Sequence, residues 1–138
     1  MPMRTLILSA CAALALTGAV WAQDMKNPAI ENTIQRQIDA FLADDFVTAF
    51  DFASPGIQSY FRNPDNFGMM VRQGYPMVWR PDDVQFLDLR DVDGRLWQKV
   101  LVRDQSGKFH VLDYRMIELD GQWRIDGVQV LPAPNVAA

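Results

Sequence analysis

The sequence predicts an α+β domain in which helices precede a four-stranded antiparallel sheet, and three observations carry that prediction. Asn27-Pro28, Ser54-Pro55 and Asn63-Pro64 each read as a helix start in the first half of the chain. Apolar residues follow a helical period in that half and alternate from Val84 onward. Asp93-Gly94, Ser106-Gly107 and Asp120-Gly121 then divide the second half into strand-length segments with hairpin turns between them. Helices segregated from a run of strands define the α+β class.

The chain opens with Arg4, an apolar run from Leu6 to Leu16 and the small-residue site Val20-Trp21-Ala22. This is the pattern of a cleaved export signal, with the mature domain spanning residues 23–138 and a periplasmic or secreted destination. Two rivals exist. The uncharged run between Arg4 and Asp24 is at the lower limit for a membrane span, and Leu8-Ser9-Ala10-Cys11 resembles a lipoprotein box. The apolar run continues past Cys11, which favours cleavage; no membrane span is then expected in the mature chain.

Cys11 is the only cysteine, so the cleaved chain can form no disulfide, thiol nucleophile or thiolate metal site. Acidic residues outnumber basic ones by 17 to 13. That balance argues against a nucleic-acid partner, which requires clustered Lys and Arg.

After Asn27-Pro28, the stripe Ile30, Ile34, Ile38, Phe41 and Leu42 marks one buried face of a helix from Pro28 to Leu42. Phe46, Ala49, Phe50 and Ala53 continue the pattern beyond Asp44-Asp45. Short helices are predicted from Pro55 to Phe61 and from Pro64 to Gln73, with Gly74 as the residue after the cap and Tyr75-Pro76 as the stop. Strands are predicted at Val84–Asp91, Arg95–Asp104, Lys108–Leu119 and Gln122–Leu131.

This order of elements is similar to the cystatin-like, nuclear-transport-factor-2-like cone, in which helices pack into a curved sheet and often leave a pocket. More narrowly, Phe52-Ala53-Ser54-Pro55, Met70-Val71 through Tyr75-Pro76, and Trp123-Arg124-Ile125-Asp126-Gly127 resemble an exported bacterial family known as domain of unknown function 4864. The resemblance implies a fold and a compartment, and no activity.

If every turn holds two residues, register follows by counting outward. Gln98, Asp113, Arg115 and Asp126 then share one face with aliphatic neighbours, and Tyr114 lies over Gly127 on the other face, beside Arg90–Trp97 and Met116–Ile125. A one-residue bulge at Gly127 would exchange the faces beyond it. Under helices, Arg115 must bond one or both carboxylates; the simpler reading is an ordinary Arg115–Asp126 cross-strand pair. The face covered by Ile30, Ile34 and Ile38 decides whether that cluster lies inside. Because both faces hold about the same number of apolar residues, homodimerisation through the sheet is a further expectation.

Two function classes remain. The leading one is a non-catalytic exported domain binding a small apolar ligand or an envelope protein, with Gln98, Asp113, Arg115 and Asp126 joined by Met69, Met70, Tyr75 and Trp79 from the Met- and aromatic-rich segment Phe67 to Trp79. The simpler reading of that segment is a helix and loop plugging the end of the cone. The alternative is a cavity isomerase or hydrolase with Asp113, Asp126 and Arg115 as catalytic residues. Arg115 between the two carboxylates favours ionisation of both, which opposes keeping one as an acid. His110 is the only histidine and reads as a partly exposed sheet residue. No serine stands in G-x-S-x-G, and Asp91-Val92-Asp93-Gly94 lacks the distal ligands of a calcium loop. With neither a P-loop nor a dinucleotide fingerprint, no metal or cofactor is expected.

Overall fold

The computed structural model describes residues 25–132. The predicted leader, its predicted cleavage site and Cys11 lie outside the described residues. Five helices, α1 (Pro28–Leu42), α2 (Phe46–Asp51), α3 (Pro55–Phe61), α4 (Pro64–Gly74) and α5 (Pro76–Trp79), precede β1 (Pro81–Val92), β2 (Arg95–Asp104), β3 (Phe109–Leu119) and β4 (Gln122–Leu131). The strands form one antiparallel sheet in the order β1-β2-β3-β4, so the α+β class is the observed one. No helix among the described residues is long and apolar enough to cross a membrane.

Each predicted helix start is a working cap. Asn27 Oδ1 accepts from the backbone N–H groups of Ala29 and Ile30, Ser54 Oγ from Ile57, and Asn63 Oδ1 from Asn66, with proline at the first turn in each case. The apolar pattern that runs past Leu42 is split in two, because Asp44 takes a positive φ of 53° and Asp45 caps a new helix through Thr48. Gly74 closes α4, and Pro76 opens the single-turn α5 where the sequence predicts a stop.

Ile30, Ile34 and Ile38 are fully buried against the sheet side that carries Val100, Val102, Leu112, Tyr114, Met116 and Ile125. Phe67 of α4 joins the helices to one another, with ring centres 5.9 Å from Phe41, 5.4 Å from Phe50 and 5.7 Å from Phe61. Gly68 permits the closest approach of α4 to α2: a Cβ there would stand 2.6 Å from the Phe46 ring.

The register differs from the two-residue-turn prediction, and the difference exchanges faces. At Asp93-Gly94 and Asp120-Gly121 both residues have positive φ, as a two-residue turn requires. At the middle turn only Gly107 does. Asp104 and Lys108 close a three-residue loop, with Gly107 N donating to Asp104 O at 3.0 Å and Asp104 N to Lys108 O at 2.8 Å. The physical reason is side-chain chemistry. Aspartate tolerates the left-handed region and serine does not, while Asp104 Oδ1 accepts from Ser106 N, Ser106 Oγ and Lys108 N and holds the longer turn.

The extra residue moves β3 by one against β2, so Gln98 faces Tyr114 and Trp97 faces Arg115. A second shift lies between Arg115 and Met116 in the β3–β4 ladder: Met116 faces Ile125 but Arg115 faces Gly127, which leaves Asp126 as a bulge. A third leaves Leu87 and Asp88 between the paired residues Phe86 and Leu89. The predicted Gln98–Arg115–Asp126 row is therefore absent. Gln98 and Tyr114 belong to the helix-covered face, and Asp113 and Arg115 to the open one.

Candidate functional site

Between the helices and the covered face lies a cavity of about 320 Å³. Tyr114, Ile125 and Val128 form its floor, Gln37 and Phe41 of α1 one wall, and Ala53, Ile57 and Phe61 another. Phe67, Met70, Val71, Tyr75 and Val78 complete the lining. Ile57, Phe61, Met70, Tyr75 and Val128 are only half-buried and mark the mouth, whereas Gln37, Phe41, Val71 and Tyr114 are buried deeper in. Gln37 is tethered by Nε2, which donates to Ala49 O at 3.1 Å.

Tyr114 is the unusual member of this lining. Its side chain is completely buried, and its hydroxyl has no hydrogen-bond partner among the described residues. A buried orphan of this kind costs about 1–3 kcal/mol. Burial first, and the neighbouring Tyr75 second, push its ionisation well above the usual tyrosine range, so the hydroxyl keeps its proton and remains a donor.

The polar cluster predicted from sequence divides differently. On the open face Arg90 grips Asp113 with two bonds, Nη1 to Oδ1 at 3.1 Å and Nη2 to Oδ2 at 2.6 Å. Asp113 is thus paired with a residue of β1 and not with Arg115, and its bonding raises the affinity of Arg90 for its proton. Arg115 turns to the bulged residue Asp126. Its Nη2 donates to the Asp126 carbonyl at 3.1 Å, and its Nε lies 3.1 Å from Oδ2 as an ion pair whose N–H misses the oxygen. Arg90 faces Trp97 across β1 and β2 as the sequence predicts, and the Arg115 guanidinium sits 5.8 Å from the Trp97 ring centre. Arg115 also takes the place over Gly127 that the sequence assigns to Tyr114.

The other predicted residues are dispersed. Gln98 is buried at 1% exposure and donates from Nε2 to the carbonyls of Leu87 and Lys99, both at 2.9 Å, which bridges the irregularity in β1. Met70 and Tyr75 line the cavity, but Met69 is half exposed beside Asn66, Gln73 and Gly74 in a shallow depression. Trp79 donates to Asp44 Oδ1 at 2.9 Å and stacks under Arg80 at 4.1 Å. That bond, with Arg80 second, holds the Asp44 carboxyl below its usual range.

The catalytic alternative needs Asp113, Asp126 and Arg115 in the cavity, and none of them lines it. A second polar group, near the middle turn, has Asp104 between its partners: Ser106 Oγ donates to Oδ1 at 2.6 Å, and His110 Nε2 lies 2.8 Å from Oδ2. Serine and imidazole do not meet, so this group is a turn clamp and lacks the nucleophile–base contact of a triad. Among the described residues no group of three or more His, Cys, Asp or Glu is arranged to hold a metal ion.

The three segments that resemble a known family converge on the cavity. Ala53, the pair Met70 and Val71 with Tyr75, and Ile125 all line it. Two of the segments are also one structural unit: Ser54 N donates to Ile125 O and Ile125 N to Phe52 O, both at 2.8 Å, while Ser54 Oγ donates to Asp126 Oδ1 at 2.7 Å. The sequence model of the family described as Domain of unknown function (DUF4864) matches residues 23–138. Comparison with curated proteins and with solved structures finds no match. The chain belongs to the DUF4864 family.

Proposed function

We propose that this DUF4864 domain is exported and acts without catalysis, holding a small apolar molecule in the cavity between α1, α3, α4 and the sheet. The observation that carries this reading is the cavity itself, a partly open space of about 320 Å³ with apolar walls. Pockets of this size and lining are the usual sites for small ligands, because interiors otherwise close to crystal-like density. Export is supported by the leader pattern of residues 1–22 and by the start of the family match at residue 23, next to the predicted cleavage site.

The test is to express the full chain with its leader, recover it from the periplasm or medium, and sequence its N-terminus. Gln23 is the expected first residue. Native mass spectrometry and solvent extraction of the same material should reveal a non-covalently held apolar molecule. Val71→Phe, which fills the cavity, should abolish that retention while leaving the thermal transition cooperative. A chain that carries no such molecule, and whose melting temperature no apolar probe raises, overturns the binding reading; retained Arg4 in exported material overturns the cleavage reading.

A further inference from the structure

We infer that the cavity selects an uncharged, two-ring-sized apolar ligand bearing one hydrogen-bond acceptor, and that the Tyr114 hydroxyl anchors it. This rests on the reading of the cavity as a ligand site and adds the chemistry of its occupant. Size comes first. An engineered apolar cavity of about 150 Å³ takes up benzene, and the present one is about 320 Å³, which suits a fused bicyclic molecule.

Charge is excluded by the lining. Gln37, Tyr75 and Tyr114 are its only side chains with nitrogen or oxygen, and none of the lining residues is Asp, Glu, Lys, Arg or His. A carboxylate or ammonium entering this space would lose its hydration and meet no counter-charge. The nearby ion pairs do not help, since Arg90–Asp113 and Arg115–Asp126 belong to the open face of the sheet.

The anchor follows from hydrogen-bond accounting. Gln37 commits one of its two Nε2 hydrogens to the Ala49 carbonyl, which fixes the amide at the α1 wall. The Tyr114 hydroxyl is fully buried, in the lining, and without an acceptor among the described residues. A carbonyl or ether oxygen placed against it turns an unpaired donor into a satisfied one, and a pure hydrocarbon does not. The ligand is therefore favoured by its oxygen and its apolar area together, with the oxygen pointing at β3.

The test uses three probes of one size and different chemistry: naphthalene, 1-tetralone and 1-naphthoate, titrated calorimetrically into the purified protein, Tyr114→Phe and Tyr75→Phe. 1-Tetralone is expected to bind about tenfold more tightly than naphthalene, the ratio that one net hydrogen bond supplies, and 1-naphthoate not at all. Tyr114→Phe should erase the preference for 1-tetralone, with an unaltered far-ultraviolet dichroism spectrum and a cooperative thermal transition as the checks on folding. Tyr75→Phe should keep the preference. Equal affinity for naphthalene and 1-tetralone, a preference that survives Tyr114→Phe, or tightest binding of 1-naphthoate overturns the anchor while the cavity stays a ligand site. Failure of all three probes overturns the ligand-site reading itself.

Discussion

The two faces of the sheet treat their polar residues in opposite ways. On the open face the carboxylates of Asp113 and Asp126 have partners: Asp113 two bonds from Arg90, and Asp126 a bond from Ser54 with Arg115 at ion-pair distance. On the covered face Gln98 and Tyr114 stand opposite one another in adjacent strands. Gln98 spends its amide on the irregular backbone of β1, and Tyr114 spends its hydroxyl on nothing in the chain. The denser polar cluster and the cavity therefore lie on opposite sides of the sheet. Tyr114 Oη and Arg115 Nε are both buried without a hydrogen-bond partner among the described residues, but Nε stands 3.1 Å from a carboxylate oxygen, whereas the hydroxyl belongs to the lining of an apolar cavity.

Substitutions can break or sharpen that contrast. The largest effect belongs to the covered face: Leu112→Ala removes a fully buried side chain and should cost about 2–5 kcal/mol. Leu101→Ala on the open face, half-buried, should cost about 1 kcal/mol. Urea unfolding of both variants measures the difference, and equal losses would mean that the open face is covered in solution.

Arg90→Ala comes next. It strands the Asp113 carboxylate, whose side chain is only 7% exposed. The expected loss at neutral pH is about 2–3 kcal/mol, below that of a fully buried pair because water reaches the Arg90 side of the contact. Tyr114→Phe should have a smaller effect of opposite sign, a gain within about 1 kcal/mol, since it deletes an orphan donor and keeps the ring. A clear loss would reveal an acceptor for the hydroxyl and dissolve the contrast between the faces.

The smallest effect is titratable. Bonds from Ser106 first and His110 second hold the Asp104 carboxyl below its usual value of 3.8. A lowered folded-state value contributes stability that is fully present above pH 3.8, begins to fade below it and is lost as pH falls through the lowered value. Asp104→Asn should therefore be less stable than the parent at pH 7, with the two converging in acid; denaturant titrations at pH 7 and pH 3 read this directly.

Most of the architecture was legible in the sequence because its signals are local. A side chain such as Asn27 or Asn63 followed by proline specifies its helix start within four residues, and Asp93-Gly94 fits one turn geometry. The candidate site was only half legible. Met70 and Tyr75 were within reach because they lie in a segment whose composition suits a cavity wall. Tyr114 shares a face with Met116 and Ile125 as the sequence predicts, but its neighbour on β2 depends on one residue in a distant loop, and Ser106-Gly107 has the composition of a two-residue turn while Asp104 organises a three-residue one. The bulge at Asp126 adds a second reversal, one residue from the predicted position. Face assignment multiplies such single-residue steps along the sheet, so an error at one turn inverts everything after it. The signal that would have found Tyr114 is the aspartate before that turn, whose side chain competes for the turn's N–H groups.

The short pairing of Ala53 with Ile125 has a consequence beyond the cavity, together with the matching bridge of Met25 to Leu89. These contacts sit on the two outer strands, which among the described residues are the ones with a free row of backbone donors and acceptors. Such rows invite the addition of strands from other molecules. Here one is interrupted by the chain segment before α3. The other is interrupted by Met25 and further spoiled by Pro81, the acidic residues Asp82, Asp83 and Asp88, and the irregularity at Leu87. Another chain pairing edge to edge would thus meet an interrupted ladder at both outer strands, one of them broken by the same segment that closes one wall of the cavity.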